Sequence, residues 1–532
     1  MTCSRLLPSS EMTPAGALWL HDTAAARTLE ANALATHPPY TLMARAGLAV
    51  ARWARALAPH ARRVWVAVGP GNNGGDGLAA AAHCAQAGCE VTAFLWGHAK
   101  DLPTDAQKAF TLACLAGVQI QEASASFPLP APTDVTPNVI VDALLGLGHK
   151  RVPDERLLGW ISALNAWRSR CLVLAVDVPT GLCSDHGTPL GAQAVVAHAT
   201  LSLLTLKPGL FTHSGRHHSG EIWFDGLAVD EPPLPPALGA CARLTSPALA
   251  RSLLAPRPHQ SHKGSFGDVW VVGGAQGMEG AATLAAGAAL RAGAGRVMVA
   301  SLSGQREWAA RPELMWRSLS ELFCPDVLER ATVVCGCGGG NVVASVLPEV
   351  LLRAPRLVLD ADALNAIGAD PSLGRALAQR AERQQLTLLT PHPLEAARLA
   401  QCKTAHIQSQ RLLSAQRLAT QTQACVVLKG SGSVVAQHGH LPWVNSTGNA
   451  RLATPGSGDV LAGWLGGLWS QSPHTPLEQL CDLAAAVVWL HGRAAELADD
   501  AAASGASALP LLASHLPGAM ARAVDALLAA RP

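Results

Sequence analysis

Charge of either sign is scarce in this sequence: Asp, Glu, Lys and Arg together make up 15% of its 532 residues. Their balance is +2 with histidine neutral, so neither a nucleic acid nor an anionic membrane is expected as a partner. No apolar run is long and clean enough to cross a bilayer. The stretch Met1–Leu20 carries Glu11 and lacks an extended apolar centre, so it reads as a poor secretory signal. Regular cysteine spacing is also missing. The thirteen cysteines are scattered, and Cys335-Gly336-Cys337 is too tight for a zinc knuckle, so reduced thiols in a cytoplasmic protein are expected. No repeat of fixed period is present.

What the sequence does have is apolar material, 49% of the chain, spread over a length too great for one core. The proline-dense run Val229-Asp230-Glu231-Pro232-Pro233-Leu234-Pro235-Pro236 resists helix and sheet and reads as a linker between domains 1–235 and 236–532. On either side of it, short apolar runs alternate with helical patterns, the mark of parallel α/β sheets covered by helices. Strands are expected at Val64–Val68, Val91–Trp96, Val139–Asp142, Leu172–Asp177 and Leu201–Leu206 before the linker. After it they are expected at Val269–Val272, Arg296–Ala300, Ala331–Val334, Leu357–Leu359, Thr387–Leu389 and Val426–Lys429, with helices at Ala281–Ala292 and Val460–Leu468 and a helical tail beyond Asp500. Gly-rich and polar residues recur just past the strands' carboxyl ends, where open α/β sheets bind ligands.

The first strand runs into Gly69-Pro70-Gly71-Asn72-Asn73-Gly74-Gly75-Asp76-Gly77. A hydride-transfer fold would place a ribose-binding acid at the end of the next strand, but that strand ends Phe94-Leu95-Trp96-Gly97-His98. The loop instead offers backbone amides for an anion and side-chain oxygens for a cation or sugar. Asp142 ends one later strand and is followed by Gly146-Leu147-Gly148; Asp177-Val178-Pro179-Thr180 ends another. Taken alone, each is equally a turn or a helix cap. Together with Asn73 they supply the oxygen ligands a hard cation prefers.

These motifs, over roughly Leu18 to Val229 and with the helical Leu42-Met43-Ala44-Arg45-Ala46-Gly47 ahead of them, resemble the epimerase domain of bacterial NAD(P)H-hydrate repair enzymes. The resemblance implies a Rossmann-like α/β/α domain that interconverts the R and S hydrates of NADH and NADPH. It implies that Asn73, Asp142 and Thr180 bind K+. It also implies that Asn72, Asn73, Gly74, Gly75 and Asp76, with Gly146, Leu147, Gly148, His149, Lys150, Arg151 and Val152, hold the substrate. Asp177 would bind it too and do the acid–base work. Leu147 stands where the family often has Thr, and an aromatic position near Arg156 is absent.

In the second half, Gly456-Ser457-Gly458-Asp459 precedes an apolar helix. Amides at a helix N-terminus stabilise negative charge, and a carboxylate in the same turn can take a proton while they do so. Asp in a first helical turn is also ordinary dipole complementation, so the loop alone supports only phosphate binding with a base nearby. Val427-Leu428-Lys429-Gly430-Ser431-Gly432-Ser433 suits nucleotide phosphates. Thr390-Pro391-His392-Pro393-Leu394-Glu395, Asp360-Ala361-Asp362-Ala363-Leu364-Asn365, Gly273-Gly274 and Gly336–Gly340 follow other strands.

With His262-Lys263-Gly264 and Gly448-Asn449, these motifs resemble the ADP/ATP-dependent NAD(P)H-hydrate dehydratases, a ribokinase-like family. The resemblance implies dehydration of the S hydrate at the expense of ADP or ATP, accompanied by Mg2+, with Glu395 holding the magnesium through water. Asp459 would be the base. Lys429, Gly430, Ser431, Gly432, Ser433 and Gly458 would bind the nucleotide, and Ala281, Gly340, His392 and Asp459 the hydrate. Leu394 and Pro455 stand where the family usually has Gly, and Cys337 where it has Pro. The whole chain thus reads as an epimerase fused to a dehydratase, with small-molecule substrates and a homo-oligomeric state expected. A ribokinase-like small-molecule kinase, a non-catalytic nucleotide-binding protein and an NAD-dependent dehydrogenase are the rival readings.

Overall fold

The computed structural model describes residues 4–5, 18–122, 127–129, 136–149, 151–229, 239–254, 257–304, 311–472, 474–502 and 511–529. Two compact units divide the chain, Met1–Ala242 and Arg243–Pro532. Most of the proline-dense run lies outside the described residues.

The first unit is built on a sheet in the order Ser4–Arg5, Glu221–Asp225, Ala199–Leu203, Leu172–Val176, Val139–Ala143, Arg63–Val68, Glu90–Leu95, Gln119–Glu122, parallel except for Ser4–Arg5. Its central strands are buried on both faces, which is why they read as unbroken apolar runs. Val64, Val66 and Val68 pack with helices Thr41–Leu57 and Asn72–Gln86 on one face. Ala67, Ile140, Phe127, Trp160 and Trp167 form the core on the other. The chain builds outward from Arg63–Val68 in one direction, then returns to lay Val139–Ala143 on its opposite side. Such a reversal opens a crevice at the carboxyl ends of the two strands. Glycine closes it tightly: a Cβ on Gly69 would lie 1.6 Å from the Leu144 carbonyl oxygen.

The second unit repeats the principle. Met315–Trp316, Arg296–Ser301, Asp268–Gly273, Ala331–Cys335, Arg356–Leu359, Leu386–Leu389 and Cys425–Leu428 run parallel, and Val434–Ala436 and Trp443–Val444 extend the sheet antiparallel. The reversal falls between Asp268–Gly273 and Ala331–Cys335. Helix Ser457–Ser470 crosses helix Glu279–Ala292 so closely that a Cβ on Gly463 would sit 2.0 Å from the Ala285 carbonyl oxygen. That approach seats the N-terminal turn of Ser457–Ser470 over the strand ends. No helix among the described residues is long and apolar enough to cross a membrane. The twelve described cysteines are free thiols.

Every expected strand is present within a few residues. Not expected from sequence are Ser4–Arg5, Leu18–His21, Gln119–Glu122, Glu221–Asp225, Ala240–Leu244, Met315–Trp316, Val434–Ala436 and Trp443–Val444, which are short, polar or at sheet margins. Beyond Asp500 the described residues hold the end of helix Leu477–Ala502 and helix Leu516–Ala529.

Candidate active sites

At the reversal in the first sheet lies a cavity of about 430 Å³. Asn72, Asn73, Asp76, Gly146, Leu147, Gly148, His149 and Asp177 all line it, drawn together from loops far apart in sequence. Gly74 and Gly75 are buried in the first turn of Asn72–Gln86, where a Cβ on Gly74 would lie 2.0 Å from the Gly69 carbonyl oxygen. Arg151 and Val152 are exposed, and Lys150 lies outside the described residues.

Asp177 has φ of 65°, a left-handed conformation that a non-glycine residue adopts only at some cost. Its carboxylate is gripped from three sides: Lys207 Nζ and the Leu203 amide (3.2 Å) donate to Oδ1, and the Leu147 amide (3.2 Å) donates to Oδ2. Asp76 and Glu30 share the cavity. Burial, with Asp177 and Glu30 close by, pushes the Asp76 carboxyl well above the usual range. Burial, then Asp177, raises that of Glu30 as well.

Beneath the cavity Asp142 is wholly buried. Thr180 donates to it twice, from its amide to Oδ2 at 2.9 Å and from its hydroxyl to Oδ1 at 2.7 Å, and the Leu144 amide adds a third bond at 3.3 Å. Burial outweighs these donors and pushes the Asp142 carboxyl up to about 6. Asn73 Nδ2 is buried without a hydrogen-bond partner, and Asn73 Oδ1 would lie 2.8 Å from a Cβ placed on Gly146. The three residues implied as cation ligands thus lie beside the Gly146 loop.

In the second unit the strand ends bring Asp360, Lys429, Glu395, Cys337 and Asp459 together. Lys429 Nζ lies 2.7 Å from Asp360 Oδ1 and 3.9 Å from Glu395 Oε2. The Thr390 hydroxyl also donates to Asp360 Oδ1, at 2.7 Å. Burial works against the Lys429 ammonium, but the Asp360 and Glu395 carboxylates outweigh it and hold its pKa above the ordinary lysine value. Cys337 Sγ and the Asp360 and Asp459 carboxylates lie within 4.8 Å of one another. Burial, then the nearby Asp360 charge, pushes Asp459 up to about 7. Burial does the same for Glu395, to about 7. A carboxylate poised near neutrality is suited to take a proton and release it again.

Arg411 is buried behind the Lys429–Ser433 loop and donates to the carbonyls of Leu428 (3.1 Å), Lys429 (3.0 Å) and Gly432 (3.4 Å), which fixes the loop's path. A Cβ on Gly458 would come 3.3 Å from Lys429 Nζ, so the glycine keeps the helix N-terminus open beside the ammonium. His392 caps helix Pro393–Leu399: its Nδ1 accepts the Leu394 and Glu395 amides at 3.1 and 3.3 Å. The Glu395 carboxylate answers by accepting the His392 amide at 2.7 Å. Ala281 and Gly340 lie at the reversal, where the Gly340 amide donates to Asp362 at 2.8 Å and Ala281 sits against Gly338.

Four members of these sites were not assigned a role from sequence. Lys207 and Glu30 sit in no recognisable motif. Asp360 was visible only as a strand-end acid, and Arg411, on helix Arg411–Thr422, carried no signal at all. A buried cation reaching a strand end is a product of the fold, and no local pattern signals it.

Fold and sites together define a two-unit α/β enzyme whose centres stand at the reversal points of two separate sheets. Residues 39–209 match the family model of the YjeF-related protein N-terminus, and residues 269–517 match that of NAD(P)H-hydrate dehydratase. The chain is 36% identical over 465 residues to the bifunctional NAD(P)H-hydrate repair enzyme Nnr of Escherichia coli, covering 86% of this chain and 85% of that one. It is 35% identical over 473 residues to the enzyme of the same name from Coxiella burnetii, covering 86% and 90%. The solved ADP/ATP-dependent NAD(P)H-hydrate dehydratase of Bacillus subtilis, co-crystallised with ATP/Mg2+, is 27% identical with a TM-score of 0.43, covering 53% of this chain and 98% of that one. The chain belongs to the family of bifunctional NAD(P)H-hydrate repair enzymes.

Proposed function

We propose that residues 1–235 interconvert the R and S hydrates of NADH and NADPH, and that residues 236–532 dehydrate the S form at the expense of ADP or ATP. The observation that carries the second activity is Asp459, pushed up to about 7, at a helix N-terminus beside Lys429. Asp459 takes the proton of the substrate hydroxyl as that oxygen attacks the terminal phosphorus. The phosphoanhydride bond breaks, leaving AMP or ADP. The amide of Gly458 and the Lys429–Ser433 loop receive the phosphate charge. Phosphate then leaves with the C–O bonding electrons, and a proton is lost from the adjacent ring carbon, restoring the nicotinamide. Ala281, Gly340 and His392 hold the hydrate in this reading. Both oxygens of Glu395 already have partners in His392, which fits an outer-sphere, water-bridged place for Mg2+. The magnesium supplies charge neutralisation at the phosphates.

In the first unit the residues from Asn72 to Asp76 and from Gly146 to Val152 hold the hydrate, with Asp177 as an acid–base group. Potassium fits the oxygens of Asn73, Asp142 and Thr180: they are hard donors, and a buried Asp142 whose donors are amides and a hydroxyl gains from a cation. When bound, it supplies the charge that keeps Asp142 ionised and fixes the loops around it. We place the enzyme in the cytoplasm as a homo-oligomer, a state that sedimentation analysis reports directly.

The test is incubation with mixed R and S hydrates, ADP or ATP and Mg2+, following nicotinamide absorbance and inorganic phosphate. Full recovery with stoichiometric phosphate is expected. Recovery of the S portion alone, beyond spontaneous epimerisation, would remove the first activity. A phosphorylated product without phosphate release would make the second unit a kinase.

A further inference from the structure

Lys207 lies in the first cavity and is 1% exposed. Its ammonium donates to Asp177 Oδ1, to the Leu203 carbonyl at 2.8 Å and to the Ser202 hydroxyl at 3.3 Å. Burying an ammonium costs several kcal/mol unless it is paired, and Asp177 supplies the pair. The cavity is also acid-rich: Glu30, Asp76, Asp105 and Asp177 line it against this one lysine. Burial, then Arg151, pushes the His149 imidazole, which also lines the cavity, toward its neutral form.

Water adds to an enamine on the carbon attached to nitrogen. Inverting that carbon requires either its C–O bond or the ring C–N bond to break. Breaking C–O leaves a cation delocalised onto the ring nitrogen, and carboxylates around the ring stabilise it. The departing hydroxyl, however, needs a proton.

Resting on the epimerase reading of this unit, we propose that Lys207 is a catalytic residue, the general acid of an epimerisation that proceeds by loss and return of water. The Lys207 Nζ proton passes to the substrate hydroxyl, and the C–O bond breaks with its electron pair leaving on water. Water then adds to either face of the ring cation and returns a proton to Lys207. Asp177 holds Lys207 in place throughout. The cycle consumes nothing and needs no co-reactant.

The test uses the full-length protein with pure R hydrate in ¹⁸O-enriched water, without ADP or ATP. One ¹⁸O incorporated per inversion, above an enzyme-free control, is expected. Inversion without label would mean that the ring C–N bond opens, and would overturn the proposal. Absence of enzyme-dependent inversion would instead overturn the epimerase reading itself. Lys207→Arg keeps a cation for Asp177 but parts with its proton far less readily, so inversion and labelling are expected to fall about 100- to 10,000-fold. Arg rescue to near wild-type inversion would make Lys207 a structural counter-ion. Dehydration of S hydrate by the same variant, unchanged, shows that the preparation is active.

Discussion

In the first unit, Asp177 is gripped by an ammonium and two amides; in the second, Asp459 faces another carboxylate and a thiol, while the nearby lysine is spent on Asp360 and Glu395. Asp177 follows a strand end and Asp459 a Gly-rich loop at a helix N-terminus, and in sequence each is simply an acid beside a turn. Their surroundings separate them. Three donors hold the Asp177 carboxylate in one orientation against Lys207. Crowding and burial lift Asp459 to about 7, where it exchanges a proton readily. The acid–base role proposed for each site therefore falls to different groups: to the carboxylate in the second, and to the paired Asp177 and Lys207 in the first.

The largest expected effect breaks this symmetry directly. Asp459→Asn should lower kcat for dehydration by about 100- to 10,000-fold while leaving epimerisation untouched and nucleotide affinity within a few-fold. Nucleotide affinity falling in step with kcat would make Asp459 a structural residue. In the intact enzyme, kcat/KM for dehydration should climb with pH to a plateau above about 7, because only ionised Asp459 accepts the hydroxyl proton.

Next is the charge network. Lys429→Met leaves Asp360 and Glu395 buried without their cation, and should lower the unfolding free energy of the second unit by about 3–5 kcal/mol in urea titrations. In the wild type, Asp459 and Glu395 both hold their protons more tightly folded than unfolded, with pKa values raised to about 7 from 3.8 and 4.5. Their contribution to stability is fully present below those unfolded values and is lost as pH rises through about 7. The urea midpoint of the second unit should therefore decline across that window, less steeply in Asp459→Asn.

In the first unit the corresponding test is smaller. Thr180→Val removes the hydroxyl from wholly buried Asp142 and should cost about 1–3 kcal/mol. Added K+ should stabilise the wild type more than the variant, as followed by thermal unfolding at varied K+ with ionic strength held constant. Equal stabilisation would place the cation elsewhere.

Strand positions, both Gly-rich loops and the acids ending the strands were legible because parallel strands are apolar throughout and stop abruptly at polar turns. Asn73, Asp142 and Asp177 stand at or just past such stops, and Asp459 stands where a Gly-rich loop enters an apolar helix. Lys207 and Glu30 were not legible. One sits in Leu206-Lys207-Pro208 and the other on helix Thr23–Thr36, and only the folded sheet brings them to Asp177. Arg411 is hidden for a related reason: a buried guanidinium serving three loop carbonyls looks, in sequence, like any helix-surface arginine.

Cys337 gives the finest comparison between the sites, because it places a weak donor where the first site has a strong one. It is wholly buried against Asp360 and Asp459. Burial, then Asp459 and Asp360, drives its thiol far above the usual range, so it remains an S–H donor. The thiol lies 4.0 Å from Asp360 Oδ2, to which it can donate, and its hydrogen bonding to Asp459 draws that carboxyl downward against the pull of burial and Asp360, while Lys429 also lowers it and Asp362 raises it. Cys337→Ala should therefore move the rising limb of dehydration toward higher pH by a fraction of a pH unit, with the plateau rate little changed. Cys337→Ser, which retains a donor, should leave the limb near its wild-type position. A limb that stays put in Cys337→Ala would mean that burial and the neighbouring charges alone set the base, and that Asp459, unlike Asp177, has no working donor.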